Sequence, residues 1–195
     1  MTSIASPSLR FDPETHTYHL GDRRLLGVTE ILKSMGLIDT EFYTEEGRTR
    51  GQYVAMATQY HDEGTLRWET LHPELLPYVR AWQRFLDESK AKVLEIEKPV
   101  CSESYGYAGT LDRVIRLAPG TPPVVVDIKL GQAQPWHPLQ LAAYARCLSP
   151  TYRRANVYLR PDGTFKFEIR SNPHDERVFL AAAAVAAWKV KNGVE

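Results

Sequence analysis

The stretch "VVVDIKLG", residues 124–131, contains three valines and an isoleucine, which is typical of a buried strand, but it also contains two charged residues. Asp127 and Lys129 are two positions apart, so both side chains face the same side of a strand, whereas Val126 and Ile128 face the other side. Charges on a buried strand require partners that compensate for their lost hydration. This strand therefore points both to the core of the fold and to a functional site.

A second strand is predicted just upstream, at residues 107–117, and the turn "APGTPP", residues 118–123, joins the two. If the strands pair symmetrically about this turn, Asp112 lies opposite Asp127, with Cβ atoms about 4.5–5.5 Å apart. Two carboxylates at that distance repel each other, and a divalent cation between them removes the repulsion. Oxygen ligands of this kind suit Mg²⁺ or Mn²⁺, and Lys129 beside them can orient a water molecule. The combination suggests metal-assisted attack of water on a phosphodiester. A solvated strand face with a weak surface ion pair is the alternative interpretation.

The remaining sequence predicts an α/β fold with a mixed central β-sheet flanked by helices. Strand patterns alternate with helical ones, without the regular repeat of βαβ units. We expect one domain over residues 1–195, composed of an N-terminal β-hairpin elaboration (1–49), a core (50–148) and a C-terminal hairpin and helix (149–195). Helices are predicted after the cap residue Thr29 and up to Gly36, from Arg50 to His61, and over residues 73–92, 138–148 and 173–191. Strands are predicted over 92–103, 107–117 and 124–131, with a hairpin over 154–170.

Composition limits the function further. Lys and Arg together number 24, as do Asp and Glu, so the net charge of zero gives no support to extended duplex binding. The chain has 2 cysteines, Cys101 and Cys147, without metal-ligand spacing. No apolar stretch approaches the length of a membrane span, and the N-terminus lacks a hydrophobic signal core. We therefore expect no membrane partner and a cytoplasmic location, which is the host cytoplasm if the protein is phage-encoded.

Three motifs follow one another at close spacing, and together they resemble the core of the PD-(D/E)-x-K nuclease superfamily. The similarity is to the branch that includes the nuclease domain of RecB and many phage-encoded exonucleases. That branch has a Gly-x-x-Asp strand, an Asp-x-Lys strand and a helix with Gln-x-x-x-Tyr. The corresponding residues here are Gly109 with Asp112, Asp127 with Lys129, and Gln140 with Tyr144. The resemblance covers roughly residues 50–148 and implies a restriction-endonuclease-like core.

The resemblance also implies roles for individual residues. Asp112 and Asp127 would hold Mg²⁺ or Mn²⁺, the carbonyl group of Ile128 would contribute a ligand, and Lys129 would position the attacking water molecule. Gln140 and Tyr144 are four residues apart and so share one face of a helix. We expect them to act in catalysis and to contact the DNA backbone. Arg48 and Arg50 are further candidates for DNA contacts, because they lie at the start of the helix that leads to the site.

Weaker candidates for DNA binding are dispersed along the chain. Arginines and aromatic residues often serve this purpose, although surface or core positions explain most of them. These candidates are Arg113, Arg116, Arg153 and Arg154 for the backbone, and Tyr53, Tyr105 and Trp136 for stacking on bases.

One position departs from the pattern of this branch. Its first core helix usually carries Arg-Gly-x-x-Val-His, with the histidine at the metal, whereas this sequence has Ala55 in that place. His61 is a poor substitute, because it lies about 240° around the helix from Ala55. A glutamate of the preceding strand, Glu97 or Glu103, could complete the metal shell, and Glu103 is included among the predicted ligands. Asp112, Asp127 and water molecules alone are the other possibility.

The predicted function is that of a metal-dependent exonuclease acting at DNA ends or single strands, in recombination, repair or phage genome processing. Partners would be DNA and either further copies of the chain or a recombination protein. Two alternatives stay open, namely a structure-specific endonuclease of the same fold and a catalytically inactive module for DNA binding or assembly.

Overall fold

A computed structural model describes residues 8–38 and 44–194, so the ends of the predicted N-terminal elaboration lie partly outside the described residues. Within the described chain, an 8-stranded sheet has the order β1-β2-β3-β5-β6-β7-β8, with β4 paired to β5 beside this path. The strands are β1 Leu9–Asp12, β2 Thr17–Leu20, β3 Arg23–Gly27, β4 Lys92–Ser102, β5 Tyr107–Arg116, β6 Val124–Leu130, β7 Arg153–Leu159 and β8 Phe165–Ile169.

The two edges of β5 are used differently. One edge pairs antiparallel with β4 along the whole strand. On the other edge, β3 pairs parallel with Tyr107 and Ala108, whereas β6 pairs antiparallel with residues 113–115. None of the described strands pairs with residues 109–112 on that edge, so β3 and β6 diverge there. We call this opening the fork.

The predicted register about the turn is confirmed. Arg113 pairs with Val126, and Val114 pairs with Val125, as symmetric pairing about the proline-rich turn requires. From β6 outward the sheet is mixed, because β7 runs parallel to β6 and β8 runs antiparallel to β7. The β6–β7 pairing sets Asp127 beside Asn156.

Helices cover both faces of the sheet. The longer described helices are α1 Val28–Ser34, α2 Glu45–Asp62, α3 Leu76–Ser89, α4 His137–Arg146 and α5 Pro173–Asn192. Val125 of β6 packs with Leu141 of α4 and Phe179 of α5 in one core. Val126 packs with Trp82 of α3 in the core on the opposite face. The alternation predicted for β6 therefore decides which helices each side of the strand meets.

Two helices begin earlier than the sequence suggested. The first helix, predicted to be capped by Thr29, begins at Val28 with Gly27 as its cap, because the Glu30 carboxylate accepts a hydrogen bond from the Gly27 N–H. The helix predicted from Arg50 begins at Glu45, because the Thr44 hydroxyl accepts a hydrogen bond from the Gly47 N–H. Capping residues, rather than the apolar pattern, determine these boundaries.

The predicted fold class is confirmed, since a mixed central sheet lies between helices. The N-terminal hairpin is a three-stranded unit, and β3 joins it to β5 of the main sheet. Among the described residues, no helix is both long enough and apolar enough to span a membrane.

Candidate active site

The site lies at the fork, where the β5–β6 ladder ends. The β5–β6 ladder ends at the pair Arg113–Val126, and Asp112 is the next residue of β5. The Asp112 carboxylate accepts a hydrogen bond from the backbone N–H of Ile128 over 2.6 Å. A side chain thus replaces a strand-to-strand backbone bond at this level. The Asp112 carboxylate consequently lies against the backbone of β6, next to Asp127.

Asp127 is buried, with 1% of its surface exposed, and it has two side-chain partners. Lys129 Nζ lies 2.9 Å from its Oδ1 atom, and Asn156 Nδ2 donates to its Oδ2 atom over 2.9 Å. The pKa of Asp127 is raised to about 7, chiefly by burial and also by the Asp112 carboxylate, while the Lys129 ammonium opposes the rise. Burial therefore outweighs the neighbouring ammonium in setting the protonation of this carboxyl group.

Gln140 connects Lys129 to helix α4. Its Oε1 atom accepts from Lys129 Nζ over 2.9 Å, and its Nε2 atom donates to the Tyr144 hydroxyl at 3.0 Å and to Thr29 Oγ1 at 3.2 Å. Tyr144 in turn packs against Gly109, where a Cβ atom would approach Tyr144 Cε1 to 2.5 Å. The glycine of the first motif therefore makes room for the tyrosine of the third.

A third carboxylate, that of Glu97, lies beside Asp112. Ile96 pairs with Arg113 and Lys98 with Leu111, so Glu97 is level with Asp112 across the β4–β5 pair. Burial raises the pKa of Glu97 to about 7, the Asp112 charge adds to the rise, and the Arg113 guanidinium opposes it. Glu97 thus belongs to the same electrostatic cluster as Asp112.

Glu103 is located elsewhere. It is exposed, and it follows the end of β4 in the turn that leads to β5. It is six positions along the chain from Glu97, and at strand spacing this corresponds to roughly 20 Å. Of the two glutamates considered from the sequence, the geometry favours Glu97.

Arg113 is part of the interior, and its predicted contact with DNA is wrong. It is fully buried, and its guanidinium donates to Asp62 Oδ2 at 2.6 Å, to Glu97 Oε1 at 2.8 Å and to the Asp112 carbonyl oxygen at 2.6 Å. Asp62 also accepts from Trp82 Nε1 over 2.8 Å. Arg113 therefore holds Glu97 and the end of α2 in place, rather than reaching a ligand.

Helix α2 leaves Ala55 exposed at the position where the branch that the motifs resemble has its histidine. His61 lies away from that position, with Nδ1 at 3.0 Å from Asp62 Oδ1 and its ring edge-on to Trp68. Gln59, one turn from Ala55, donates to Glu63. None of these side chains replaces the histidine in the sequence pattern.

The two arginines predicted to bind DNA lie in the first half of α2. Arg48 is exposed, and Arg50 lies 3.5 Å from Glu46 in an ion pair. Arg50 and Tyr53 line a groove of about 870 Å³ beside α2. At 100° per residue, Tyr53 lies about 160° around the helix from Ala55, so this groove is on another side of α2. Arg50 therefore lies at this groove, and its predicted contact with DNA stays a prediction.

The residues at the fork fit a magnesium-type site. Among the described residues, no preformed group of three or more histidine, cysteine, aspartate or glutamate side chains surrounds a metal position. Mg²⁺ does not require such a cage, since it commonly binds one or two carboxylates and completes its shell with water and phosphate oxygens. Asp112, Asp127 and the Ile128 carbonyl would provide that kind of set, and their predicted roles stay predictions.

Asn156 is a site residue that the sequence interpretation missed. It is fully buried, it lies beside Asp127 in the parallel β6–β7 pair, and Arg170 Nε donates to its Oδ1 atom over 2.9 Å. The available signal was an asparagine within the apolar run "ANVYL", residues 155–159. A buried amide in such a run requires a hydrogen-bond partner, but only the strand order shows which one.

No protein-family model and no curated protein matches this sequence. Among solved structures, a candidate exonuclease from Eubacterium rectale matches with a TM-score of 0.51 at 12% identity, over 88% of this chain and 83% of that chain. An alkaline exonuclease, LHK-Exo from Laribacter hongkongensis, matches with a TM-score of 0.42 at 13% identity, over 87% of this chain and 92% of that chain. The structural neighbours thus include exonucleases, as the motifs predicted, and at these identities what the chain shares with the Eubacterium rectale protein is its fold.

Proposed function

We propose that this protein is a Mg²⁺- or Mn²⁺-dependent deoxyribonuclease, and specifically an exonuclease that acts at DNA ends or single strands. The observation that carries the proposal is the hydrogen bond from the Ile128 N–H to Asp112, which sets this carboxylate beside the Asp127–Lys129 pair. Recombination, repair or phage genome processing is the corresponding role. The fold shared with the Eubacterium rectale protein supports the nuclease class.

In this proposal, Asp112, Asp127 and the Ile128 carbonyl hold the cation, and Glu97 stands beside them in place of Glu103. A bound cation would polarise the phosphate and lower the pKa of a water molecule. Asp127 would release its proton as the cation binds, since burial raises its pKa to about 7 in the absence of a cation.

Lys129 and its partners would act on the attacked phosphate and the DNA backbone. The ammonium group lies within hydrogen-bond distance of both Asp127 and Gln140, so its position is fixed before substrate binds. A fixed positive charge beside the attacked phosphate stabilises the negative charge that develops in the transition state. Tyr144, held by Gln140, would contact the DNA backbone, and Arg48 and Arg50 would supply more distant contacts.

The test is cleavage of linear and covalently closed circular DNA in Mg²⁺, Mn²⁺ or EDTA. The wild-type protein is expected to degrade linear DNA in either metal and to be inactive in EDTA. Asp127→Asn and Lys129→Met are expected to reduce the rate by at least about 100-fold, the scale for removing one preorganised charge-stabilising group. Asp87→Asn and Lys191→Met change exposed residues of the same types and serve as matched controls.

The outcomes separate the three functions considered. Degradation confined to linear DNA supports the exonuclease, whereas cutting of closed circles indicates an endonuclease of the same fold. Absence of cleavage in both metals, together with DNA binding that Asp127→Asn leaves unchanged, would indicate a non-catalytic module.

A further inference from the structure

A recess of about 200 Å³ lies between the N-terminal hairpin and the fork. Its lining includes His16 from the β1–β2 turn and Thr29 from α1, together with Glu97 and Tyr144 from the candidate site. At about 30 Å³ per water molecule, this volume holds roughly seven waters, which corresponds to a phosphate with part of its sugar and not to a duplex. The N-terminal strands thereby form one wall of a ligand-sized space at the site.

The hydrogen bonds of Gln140 orient two hydroxyl groups in this recess. Lys129 can only donate, so Gln140 must present its oxygen to Lys129 and its nitrogen to the other side. That nitrogen donates to both Thr29 Oγ1 and the Tyr144 hydroxyl oxygen. Because each oxygen already accepts a hydrogen bond from Gln140, each O–H is available as a donor. Two donors therefore line the recess.

His16 adds a third donor at the mouth of the recess. Its backbone adopts a left-handed conformation, with φ of 52°, and its exposed side chain packs edge-on against Phe11 at a ring distance of 5.2 Å. The imidazole ring carries at least one N–H in both of its protonation states. His16 can therefore donate to a ligand.

Each acidic residue of the recess has an arginine partner. The Glu30 carboxylate accepts from Arg24 at 2.9 Å and from the Gly27 N–H at 3.0 Å. The Glu97 carboxylate accepts from Arg113 over 2.8 Å. An anion that enters the recess thus meets donors from His16, Thr29 and Tyr144, beside two carboxylates that are each held by an arginine.

We propose that this recess binds a phosphate group of a nucleic-acid strand, and that His16 and Thr29 are substrate-binding residues supplied by the N-terminal elaboration. The proposal rests on the proposed nuclease function, and it assigns to residues 8–30 a direct part in substrate recognition. Several hydrogen-bond donors lining one recess are the chemistry that proteins use for phosphate oxygens.

The test measures binding of a single-stranded tetranucleotide, with and without a 5′-phosphate, by fluorescence anisotropy in EDTA, so that no cleavage occurs. His16→Gln and Thr29→Val are each expected to weaken binding about tenfold, the scale for a hydrogen bond to a charged group. This comparison uses whichever of the two tetranucleotides the wild type binds more tightly. His174→Gln changes an exposed histidine of α5 and should bind like the wild type. Unchanged melting temperatures would establish that both recess variants fold.

The two probes also locate the phosphate. If both recess variants bind more weakly than the wild type, the wild type's preference between the probes locates the phosphate. Tighter binding of the 5′-phosphorylated probe assigns the recess to the strand end, whereas equal binding of both probes assigns it to an internal phosphate. Wild-type affinity in His16→Gln and Thr29→Val would overturn the proposal.

Cleavage of linear DNA in Mg²⁺ by the same proteins separates this proposal from the nuclease function. A wild-type protein that cleaves DNA, with recess variants that match it in binding and rate, leaves the nuclease function standing and refutes the recess. A wild-type protein that does not cleave, but whose binding depends on His16 and Thr29, supports the recess and refutes the nuclease function.

Discussion

At the scale of single residues, the candidate site contains acids whose protonation is set chiefly by burial. Asp127 and Glu97 have pKa values raised to about 7, chiefly by burial, and Asp112 contributes to both shifts. Buried carboxyl groups with raised pKa values are stabilised by binding either a proton or a cation. The choice between the two glutamates can be tested by substitution.

Glu97→Gln is expected to lower the Mg²⁺-dependent cleavage rate about tenfold or more, because it removes the carboxylate beside Asp112. Glu103→Gln should retain the wild-type rate, since Glu103 is exposed at the far end of β4. Initial rates on linear DNA at saturating Mg²⁺ provide the comparison. Equal loss in both variants, or loss only in Glu103→Gln, would contradict the assignment of Glu97.

His137 leads to a prediction about pH. Burial, with the charges of Lys129 and Arg170, lowers its pKa to about 3. Between about pH 6.5 and 3, the unfolded chain binds a proton at His137 that the folded chain does not bind. This residue therefore makes the free energy of unfolding fall with decreasing pH, by up to about 1.4 kcal/mol per pH unit.

His137→Asn should remove this acid sensitivity, because the Asn oxygen can accept the hydrogen bond from the Gln134 N–H but does not titrate. We expect the variant to lose less stability than the wild type between pH 7 and pH 4. Urea unfolding at each pH unit measures the difference in the free energy of unfolding between the variant and the wild type. The other titrating groups are the same in both proteins, so their contributions cancel in this difference. A difference that stays constant with pH would show that His137 is not buried in its neutral form.

At the scale of elements, Arg170 at the end of β8 connects two routes to the site. Its Nε atom donates to Asn156, which donates to Asp127, and a terminal guanidinium nitrogen donates to the Tyr158 hydroxyl over 2.9 Å. Tyr158 lies 3.2 Å from His137 Nδ1 in the first turn of α4. Arg170 therefore positions both β6 and the helix that carries Gln140.

Arg170→Met is expected to lower kcat about tenfold with little change in KM, because it disturbs the orientation of Asp127 without touching the substrate. Arg160→Met changes an exposed arginine before β8 and is the matched control. Steady-state cleavage kinetics distinguish the two parameters. A change in KM alone would indicate that Arg170 contacts DNA instead.

The buried pair Arg113–Asp62 joins β5 to the end of α2. Both side chains are fully buried, with Nε and Oδ2 2.6 Å apart. Arg113→Met leaves Asp62 without its cationic partner and should destabilise the fold by about 3–5 kcal/mol. Arg84→Met breaks an exposed pair with Glu88 and should cost no more than about 1 kcal/mol. Urea unfolding compares the two, and similar losses would contradict the structural role of Arg113.

At the scale of the whole molecule, the sequence predicted those features that depend on local pattern. The register of β5 and β6 followed from the symmetry of one turn, and the faces of β6 followed from its alternation. These predictions hold because periodicity and turn length act over short distances.

What the sequence could not predict depends on distant parts of the chain. Glu97 lies beside Asp112, and Asn156 beside Asp127, only because of strand order and register. Arg113 looked like a surface arginine because its partner Asp62 is 51 residues away along the chain. The position of β3 beside β5, which brings Thr29 to Gln140, also has no local signal.

The central claim is that Asp112 and Asp127 share one cation at the fork. Anomalous diffraction from crystals grown with Mn²⁺ tests it most directly. The account predicts a peak about 2.1 Å from a carboxylate oxygen of each aspartate and from the Ile128 carbonyl oxygen, which Asp127→Asn abolishes. A Mn²⁺ ion bound elsewhere, or a fork that stays without a peak at saturating Mn²⁺, would contradict it.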